Sequence, residues 1–343
     1  AAFEGCASLR EIHIPDLQTW CNIKTSNEVN TYLNLLASAD LSNENSAIYL
    51  MILIMLLSWN PLMLNVSSGQ PVSLMLNNKE VVNLNIPNNI TSITHGGFMG
   101  SRLQTITGGD DIKNIGIGAF LYNDLLHKVI LPKNLTNIDT LAFAYCSSLT
   151  DIIIPDNVRT IGTYAFGECI NLSSVTLGKN LNSIKTGAFA GCESLTSIYI
   201  PKNVLNISEN VFKGCTSLSN IVVDENNSQY SSYNNILYNK DKTELILCGS
   251  EVSELSLNGI TSIKNNAFDT VNKIDSVYVD SIEELLNINY NIWGQTSDGI
   301  SLYYGSPFRK TDKLYINNEL ITNVVIPEGV TTVNNTGFRD YKR

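Results

Sequence analysis

A repeat of 23 residues constrains this chain more than any other feature of its sequence. Phenylalanine recurs at that spacing five times in succession, at Phe120, Phe143, Phe166, Phe189 and Phe212. With 10 Phe in 343 residues, such a series would arise by chance on the order of once in a million trials. Repeats of about 20 to 50 residues are typical of solenoids, whose units bury their apolar faces only by stacking on neighbouring units.

Each part of the repeating unit LxxIxIPxxVxxIxxxAFxxC predicts a local structure. The IxI segment alternates with a period of two, which indicates a short strand with one buried face. Proline ends that strand because it cannot donate to a ladder. VxxI predicts a second short extended or turning segment, and AFxxC predicts a tight turn that inserts a ring into the core. We therefore expect a mainly β fold with short helical segments and coils of about 23 residues.

The unit resembles the BspA-like leucine-rich repeat, as in LTDIIIPDNVRTIGTYAFGEC at 149–169 and LTSIYIPKNVLNISENVFKGC at 195–215. This resemblance covers nearly the whole chain. It implies a right-handed solenoid with a parallel sheet on one face. It also implies a secreted or surface-anchored protein of an anaerobic microbe or parasite, of a kind usually discussed as an adhesin, without catalytic residues.

Several segments interrupt the 23-residue repeat. Segment 73–93 aligns on 313–333 at an offset of 240 residues, and each copy carries a hairpin with an Asn-Asn turn, at Asn77–Asn78 and Asn317–Asn318. A short helical stretch precedes each hairpin. We expect a single solenoid over 1–343, a partly helical insertion at 24–60, and variant long coils with hairpins at 224–262 and 280–326.

The insertion contains the longest apolar run of the chain, 11 residues at 47–57. A helix needs about 20 apolar residues to span a membrane, so no membrane span is expected. Three interpretations stay open: a helical insertion packed on the side of the solenoid, an interface for self-association or a partner, or a membrane role, against which the short length and the lack of flanking cations argue.

The chain starts within one repeat at Phe3 and stops within another at Phe338. Solenoids need polar caps at their ends for solubility, and neither terminus resembles one. We therefore expect the sequence to be a fragment of a longer protein.

Composition excludes some partners. The formal net charge is -10, without a basic run, whereas nucleic acids and anionic membranes attract cationic surfaces. Only 16% of residues are charged, and 43 are Asn. Asn tolerates the left-handed conformation, so we expect this surplus in the turns between coils.

The cysteines and histidines do not predict chemistry. Five cysteines share one repeat position, namely Cys6, Cys146, Cys169, Cys192 and Cys215, where other coils carry Ser101, Asn123 and Val271. We interpret the position as a small buried side chain at a crowded turn, because stacked parallel Cβ vectors suit disulfides poorly. The disulfide status of Cys21 and Cys248 is left open. No zinc or nucleotide motif is present, so no metal or cofactor is expected.

One row of outward strand residues is a candidate binding face. The middle residue of IxI points away from the core, and stacked coils place these residues about 4.8 Å apart. The row consists of Ile130, Ile153, Thr176, Tyr199, Val222 and, after a long variant coil, Tyr278. Two interpretations stay open: an elongated binding surface, or plain β-propensity, since branched and aromatic residues suit a pleated surface.

Together these observations predict a non-enzymatic cell-surface or secreted protein. It would recognise a host or microbial protein or glycan through the solenoid face. The alternative is a structural spacer that displays another domain on the cell surface. A glycan hydrolase would need paired carboxylates, whereas the outward strand positions offer only Asp151 and Asp275, many coils apart.

Overall fold

The computed structural model describes residues 11–14, 16–21, 73–290, 306–311, 313–323 and 328. Within these ranges the chain forms 25 strands, β1 to β25, the helices α1 (Leu17–Cys21) and α2 (Ile282–Asn287), and a 3-10 turn at Pro307–Arg309. The predicted mainly β fold with short helical segments is confirmed. The insertion at 24–60, the apolar segment 47–57 and the side chains of Cys6 and Cys21 lie outside the described residues, so the predictions about them stay predictions.

The chain divides into two compact units, residues 1–195 with 206–213 and residues 196–205 with 214–343. That residues 1–343 act as a single domain stays a prediction. The fold is a β-solenoid with a turn length of about 23 residues in its regular coils, whereas the variant coils of the second unit depart from this length.

The coils of the first unit each contribute two short strands. The IxI strands are β4 (Asn83–Ile86), β6 (Thr105–Gly108), β8 (Lys128–Val129), β10 (Asp151–Ile153) and β12 (Ser174–Thr176). The VxxI strands are β5 (Ser92–Ile93), β7 (Asn114–Ile115), β9 (Asn137–Ile138), β11 (Thr160–Ile161), β13 (Ser183–Ile184) and β15 (Asn206–Ile207). These strands pair in parallel, and the VxxI strands form one six-stranded sheet in coil order.

A small mixed sheet opens the first unit. It contains β1 (Glu11–Ile14), β2 (Ser73–Leu76) and β3 (Lys79–Glu80). Strands β1 and β2 run parallel, whereas β2 and β3 are antiparallel. Asn77 and Asn78 join them with φ of 52° and 57°, which is the conformation of a type I′ hairpin turn. The predicted hairpin is confirmed.

A continuous stack of phenylalanine rings fills the core of the first unit. Phe98, Phe120, Phe143, Phe166, Phe189 and Phe212 follow one another with ring centroids 5.1 to 6.0 Å apart and interplanar angles of 3° to 14°. All six are buried. Each coil therefore supplies one ring, and each ring packs on those of the coils before and after it.

The turn that inserts each ring needs two residues with positive φ, two positions before and two positions after the Phe. In several coils these are glycines, but in others they are larger residues: Tyr122, Leu141, Tyr145, Tyr164, Glu168 and Asn210, with φ between 50° and 60°. Non-glycine residues rarely adopt this conformation. Leu141 is buried, whereas the other five are partly exposed along the edge of the coils that holds the phenylalanines.

The repeated cysteines Cys146, Cys169, Cys192 and Cys215 are buried thiols that form no disulfide, as predicted. The thiols of Cys146 and Cys169 donate to the carbonyls of Phe120 and Phe143 at 3.3 and 3.1 Å. Asn123 fills the same position and donates to the carbonyl of Phe98 at 2.8 Å. In these coils the position holds a small donor that bridges adjacent coils, whereas the coil of Phe268 carries the buried Val271 there. Cys248 is also free and buried.

Asparagine has two roles in the turns. Eight of the 14 non-glycine residues with positive φ in the described chain are Asn, as expected from its tolerance of this conformation. Asn side chains also donate from one coil to the backbone of the preceding coil. Asn134, Asn157 and Asn171 reach the carbonyls of Asp110, Lys133 and Ser147 at 2.9, 2.9 and 2.8 Å.

The second unit begins with two parallel IxI strands, β14 (Ser197–Ile200) and β16 (Asn220–Val223). Three antiparallel strands follow: β17 (Tyr230–Tyr233), β18 (Ile236–Asn239) and β19 (Glu244–Cys248). The predicted hairpin between β18 and β19 is confirmed. Sequence reasoning missed β17 and its turn, where Asn234 and Asn235 have φ of 48° and 61°.

The rest of the second unit returns to parallel pairing. Strand β19 pairs with β21 (Ser262–Ile263), which pairs with β23 (Asn289–Tyr290). A second sheet runs through β20 (Glu254–Ser256), β22 (Ser276–Val279), β24 (Leu314–Ile316) and β25 (Glu319–Leu320). The predicted turn between β24 and β25 is confirmed at Asn317 and Asn318, with φ of 50° and 65°. Helix α2 begins after Ser281, whose side chain accepts from the Glu284 backbone N–H.

Candidate binding surface

Strand alternation separates buried from exposed residues within each IxI segment. Ile152 and Ile154 are 1% and 2% exposed, whereas Ile153 between them is 67% exposed. The same alternation exposes the middle residues of the other IxI strands. The outward sheet face, meaning these middle residues and their flanking positions, is therefore a surface feature in both units.

The first unit carries an apolar patch on its outward sheet face. Ile130 and Ile153 are 53% and 67% exposed, and Ile153 lies opposite the exposed Thr176 in the register of β10 and β12. Earlier coils carry Asn85 and Thr107 at this position, and Thr107 donates to Asn85 at 3.3 Å. The position thus tolerates polar residues, and the two isoleucines are not required for the strand to form.

The positions beside this patch are polar and engaged with each other. The Thr150 hydroxyl donates to the Asp151 carboxylate at 3.0 Å, and the Ser173 hydroxyl donates to the Thr150 carbonyl at 3.0 Å. Ser174 is exposed. A small apolar centre with a polar rim is the usual anatomy of a protein interface.

The second unit places Tyr199 opposite Val222, with exposures of 51% and 41%. The Tyr199 hydroxyl donates to the Asp224 carboxylate at 2.8 Å. This hydrogen bond lowers the pKa of Asp224 and raises the pKa of Tyr199. The bond holds the exposed ring in one orientation, so a partner would meet a pre-ordered aromatic side chain.

Tyr278 also belongs to the outward sheet face of the second unit, where it is half-buried. It stacks on Tyr315 of the neighbouring strand, with ring centroids 4.9 Å apart. The Ser276 hydroxyl donates to the Tyr278 hydroxyl at 3.2 Å. Sequence reasoning missed Tyr315, although it is the middle residue of the LYI segment and follows the same alternation.

A second aromatic feature was missed as well. Tyr233 at the end of β17 is 60% exposed, and the Lys242 ammonium lies 4.9 Å from its ring centroid. The only signal for it in the sequence is the Asn234–Asn235 pair, which marks a turn directly after it.

The two candidate carboxylates of the outward strands occupy unrelated surroundings. Asp151 is exposed in β10 of the first unit, whereas Asp275 of the second unit bonds Lys273 at 2.7 Å. That hydrogen bond lowers the pKa of Asp275. Asp275 therefore lacks the raised pKa of a general acid.

Within the described part of the chain, no group of three or more His, Cys, Asp and Glu residues is placed to hold a metal ion. No helix among the described residues is long and apolar enough to cross a membrane.

Stacked coils with aliphatic strands, an Asn-rich turn and one ring per coil define a leucine-rich-repeat solenoid. Six copies of the BspA-type leucine-rich repeat region match this chain, at residues 75–169, 138–256 and 246–342. The chain belongs to the BspA-type leucine-rich repeat family, as the sequence predicted. Leucine-rich-repeat solenoids of this kind are generally non-enzymatic binding scaffolds.

Solved structures with a similar fold include a leucine-rich cell surface protein from Faecalibacterium prausnitzii A2-165, with 27% identity over 63% of this chain and a TM-score of 0.52. The pneumococcal vaccine antigen PcpA is 24% identical over 62% of this chain, with a TM-score of 0.46. The aligned regions span 57% and 47% of those two chains. No curated protein is significantly similar in sequence.

Proposed function

We propose that this chain is a non-enzymatic binding protein of a bacterial cell surface, with its outward sheet face as the contact region. The main supporting observation is the exposure of Ile130 and Ile153, at 53% and 67%, at the middle position of the IxI segment, which other coils fill with Asn or Thr. An extracellular or cell-surface location is supported by the family and by the similarity to the leucine-rich cell surface protein of Faecalibacterium.

A protein partner suits the first unit better than a glycan. Ile130, Ile153 and Thr176 offer two aliphatic side chains and one methyl-bearing hydroxyl, whereas sugars need many hydrogen-bond partners. Full burial of an isoleucine side chain is worth about 1.5 to 3 kcal/mol. Burial of two half-exposed isoleucines is therefore enough to form the centre of a small interface.

The second unit could serve a protein or a glycan. Tyr199 and Tyr278 present rings whose hydroxyls are held by Asp224 and Ser276. Fixed tyrosines combine apolar area with a polar end and lose little side-chain entropy on binding. Host and microbial proteins and glycans are therefore the partners to test, and no cofactor is needed.

An array of host matrix proteins, mucins and glycans tests this proposal. We expect the wild-type chain to bind at least one class, and the double variant Ile153→Ser/Tyr199→Ser to lose that binding with unchanged circular dichroism. Ile170→Ser is the matched control, because Ile170 is 39% exposed but lies in a turn outside the IxI strands.

Two results would argue against the proposal. Unaltered binding by the double variant would remove the outward sheet face from the contact region. An array without any bound partner would favour the alternative function, a structural spacer that displays another domain.

A further inference from the structure

A second surface feature follows the edge of the coils where the phenylalanines enter the core. Tyr122, Tyr145 and Glu168 each lie two residues after the Phe of their own coil, with φ of 59°, 59° and 60°. The backbone N–H of each donates to the next coil, to Ala144, Gly167 and Ala190 at 3.0, 2.8 and 2.7 Å. These bonds keep the coils in register, so the three residues form one column in the first unit.

The two tyrosines of this column stack, with ring centroids 4.6 Å apart and an interplanar angle of 21°. Glu168 follows them one coil later. Gly191 occupies the next place, and a Cβ there would lie 2.7 Å from the carboxyl carbon of Glu168. The Glu168 carboxylate therefore lies directly over the backbone of Gly191, beyond the end of the stacked rings.

Tyr164 lies beside this column, in the coil of Glu168, at the other positive-φ position. Its ring lies over Gly187, where a Cβ would be 2.6 Å from two ring carbons. Larger residues at 187 and 191 would therefore displace the Tyr164 ring and the Glu168 carboxylate.

The polar groups of this cluster have no partners within the described chain. The hydroxyls of Tyr122, Tyr145 and Tyr164 make no hydrogen bond there, and Glu168 makes no ion pair, although each is only partly exposed. Their donor and acceptor capacity is thus open to an external ligand.

The local potential is negative. Burial, and then the Glu168 charge, raise the pKa of Tyr122 and of Tyr164. Burial raises the pKa of Tyr145 to about 12, with contributions from Tyr122, Glu168 and Tyr164. Burial and the charge of Glu193 raise the pKa of Glu168. A cation at this place would offset the contributions of the Glu168 and Glu193 charges, but not the contribution of burial.

We propose that Tyr122, Tyr145, Tyr164 and Glu168 form a recognition site for a primary organic ammonium group. An ammonium donates three N–H groups, which suits one carboxylate and several phenol oxygens. Aromatic rings attract such cations through their faces. A bare metal ion fits less well, because it would need more carboxylate ligands than this cluster supplies.

This site is independent of the proposed function, since it lies on the phenylalanine turns and not on the IxI strands. The ammonium group could come from a lysine side chain of a partner protein or from a free amine. The net charge of -10 would favour the approach of either cation.

The test is a titration followed by amide NMR shifts of Glu168 and Gly191. The probes are n-butylammonium chloride, Nα-acetyl-lysine methylamide and spermidine, each compared with sodium chloride at equal ionic strength and with n-butanol. We expect saturable shifts with a dissociation constant on the order of 10 mM for n-butylammonium, because exposed cation–π and ion-pair contacts are individually weak.

Glu168→Gln should weaken that binding by up to about fivefold, the upper end of the range measured for exposed ion pairs. Asp151→Asn is the matched control, because it removes the same charge from the outward sheet face of the same unit and should leave binding unchanged. Tighter binding of the lysine derivative would indicate a protein partner, and tighter binding of spermidine a free amine.

Either of two results would overturn the proposal. In the first, n-butylammonium causes no shifts beyond those of sodium chloride. In the second, Glu168→Gln binds as tightly as the wild type while its circular dichroism shows that it is folded.

Discussion

Contacts between the stacked phenylalanine rings of adjacent coils should contribute much of the unfolding free energy. Phe166 is fully buried, and its ring lies 5.4 Å from that of Phe143 and 5.5 Å from that of Phe189. Replacement of a buried Phe by Ala costs about 3 to 5 kcal/mol through lost transfer energy and the cavity left behind. Since both neighbouring rings lose a stacking partner, we expect Phe166→Ala to fall at the upper end of this range.

A double-mutant cycle makes this prediction sharper. Phe143→Leu and Phe166→Leu keep most of the apolar volume but remove the ring contact between adjacent coils. We expect their effects to be non-additive by about 0.5 to 1.5 kcal/mol, the value of an aromatic pair beyond its buried area. Phe98 does not touch Phe166, because two other rings lie between them in the stack. Phe98→Leu with Phe166→Leu should therefore be additive.

Urea unfolding followed by far-UV circular dichroism measures both quantities, provided that all variants keep the same m-value. Equal coupling in the adjacent and the separated pair would refute the neighbour-only description. A loss of less than about 1 kcal/mol for Phe166→Ala would refute the stack as a main source of stability.

Three further predictions concern the turns and the outward face. Cys169→Ala should lower the unfolding free energy by about 1 kcal/mol more than Cys169→Ser, because the Cys169 thiol donates to the Phe143 carbonyl at 3.1 Å and Ser keeps a donor whereas Ala does not. Equal losses of unfolding free energy in urea denaturation would contradict this role. Asn235→Ala should cost about 1 kcal/mol and Asn235→Gly almost nothing in the same assay, because φ is 61° there; equal costs would contradict the turn argument. Tyr199→Phe should raise the pKa of Asp224 in a carboxyl NMR titration, because the Tyr199 hydroxyl is the main cause that lowers it. Because the pKa of Asp224 is lowered in the folded state, the carboxylate stabilises the protein at pH values above its unfolded-state pKa, and this stabilisation is lost as pH falls through the folded-state pKa. The variant should therefore lose less stability in acid than the wild type. An unchanged pKa of Asp224 would contradict the hydrogen bond.

The regular coils could be predicted closely from the sequence, because each repeat position has to meet the same physical requirement in every coil. Phe120 to Phe212 gave the period, and the isoleucines on either side of Ile153 gave the buried face of the strand. The Asn-Asn pairs gave two hairpin turns, since both central residues of such a turn need positive φ.

The parts that could not be predicted are those where the repeat carries no local signal. Strand β17 has the sequence YSSY, which lacks the aliphatic alternation of the other strands. The ammonium-site cluster is also invisible in the repeat pattern, because Tyr122, Tyr145 and Glu168 share a position at which other coils carry glycine. Only the structure shows that the Tyr122 and Tyr145 rings stack and that Glu168 follows them in the same column.

Whether Ile130 and Ile153 serve binding or only strand formation can be separated by one variant. Ile130→Thr/Ile153→Thr keeps a β-branched side chain at both positions, so β-propensity is nearly unchanged. Thr107 already fills this position in another coil of the same unit. We therefore expect the unfolding free energy in urea to stay within about 0.5 kcal/mol of the wild type.

If the outward sheet face binds a partner, the same variant should lose binding on the array, because each Thr replaces part of an aliphatic side chain by a hydroxyl that prefers water. A variant that loses stability but keeps binding would show that the two isoleucines are there for the strand.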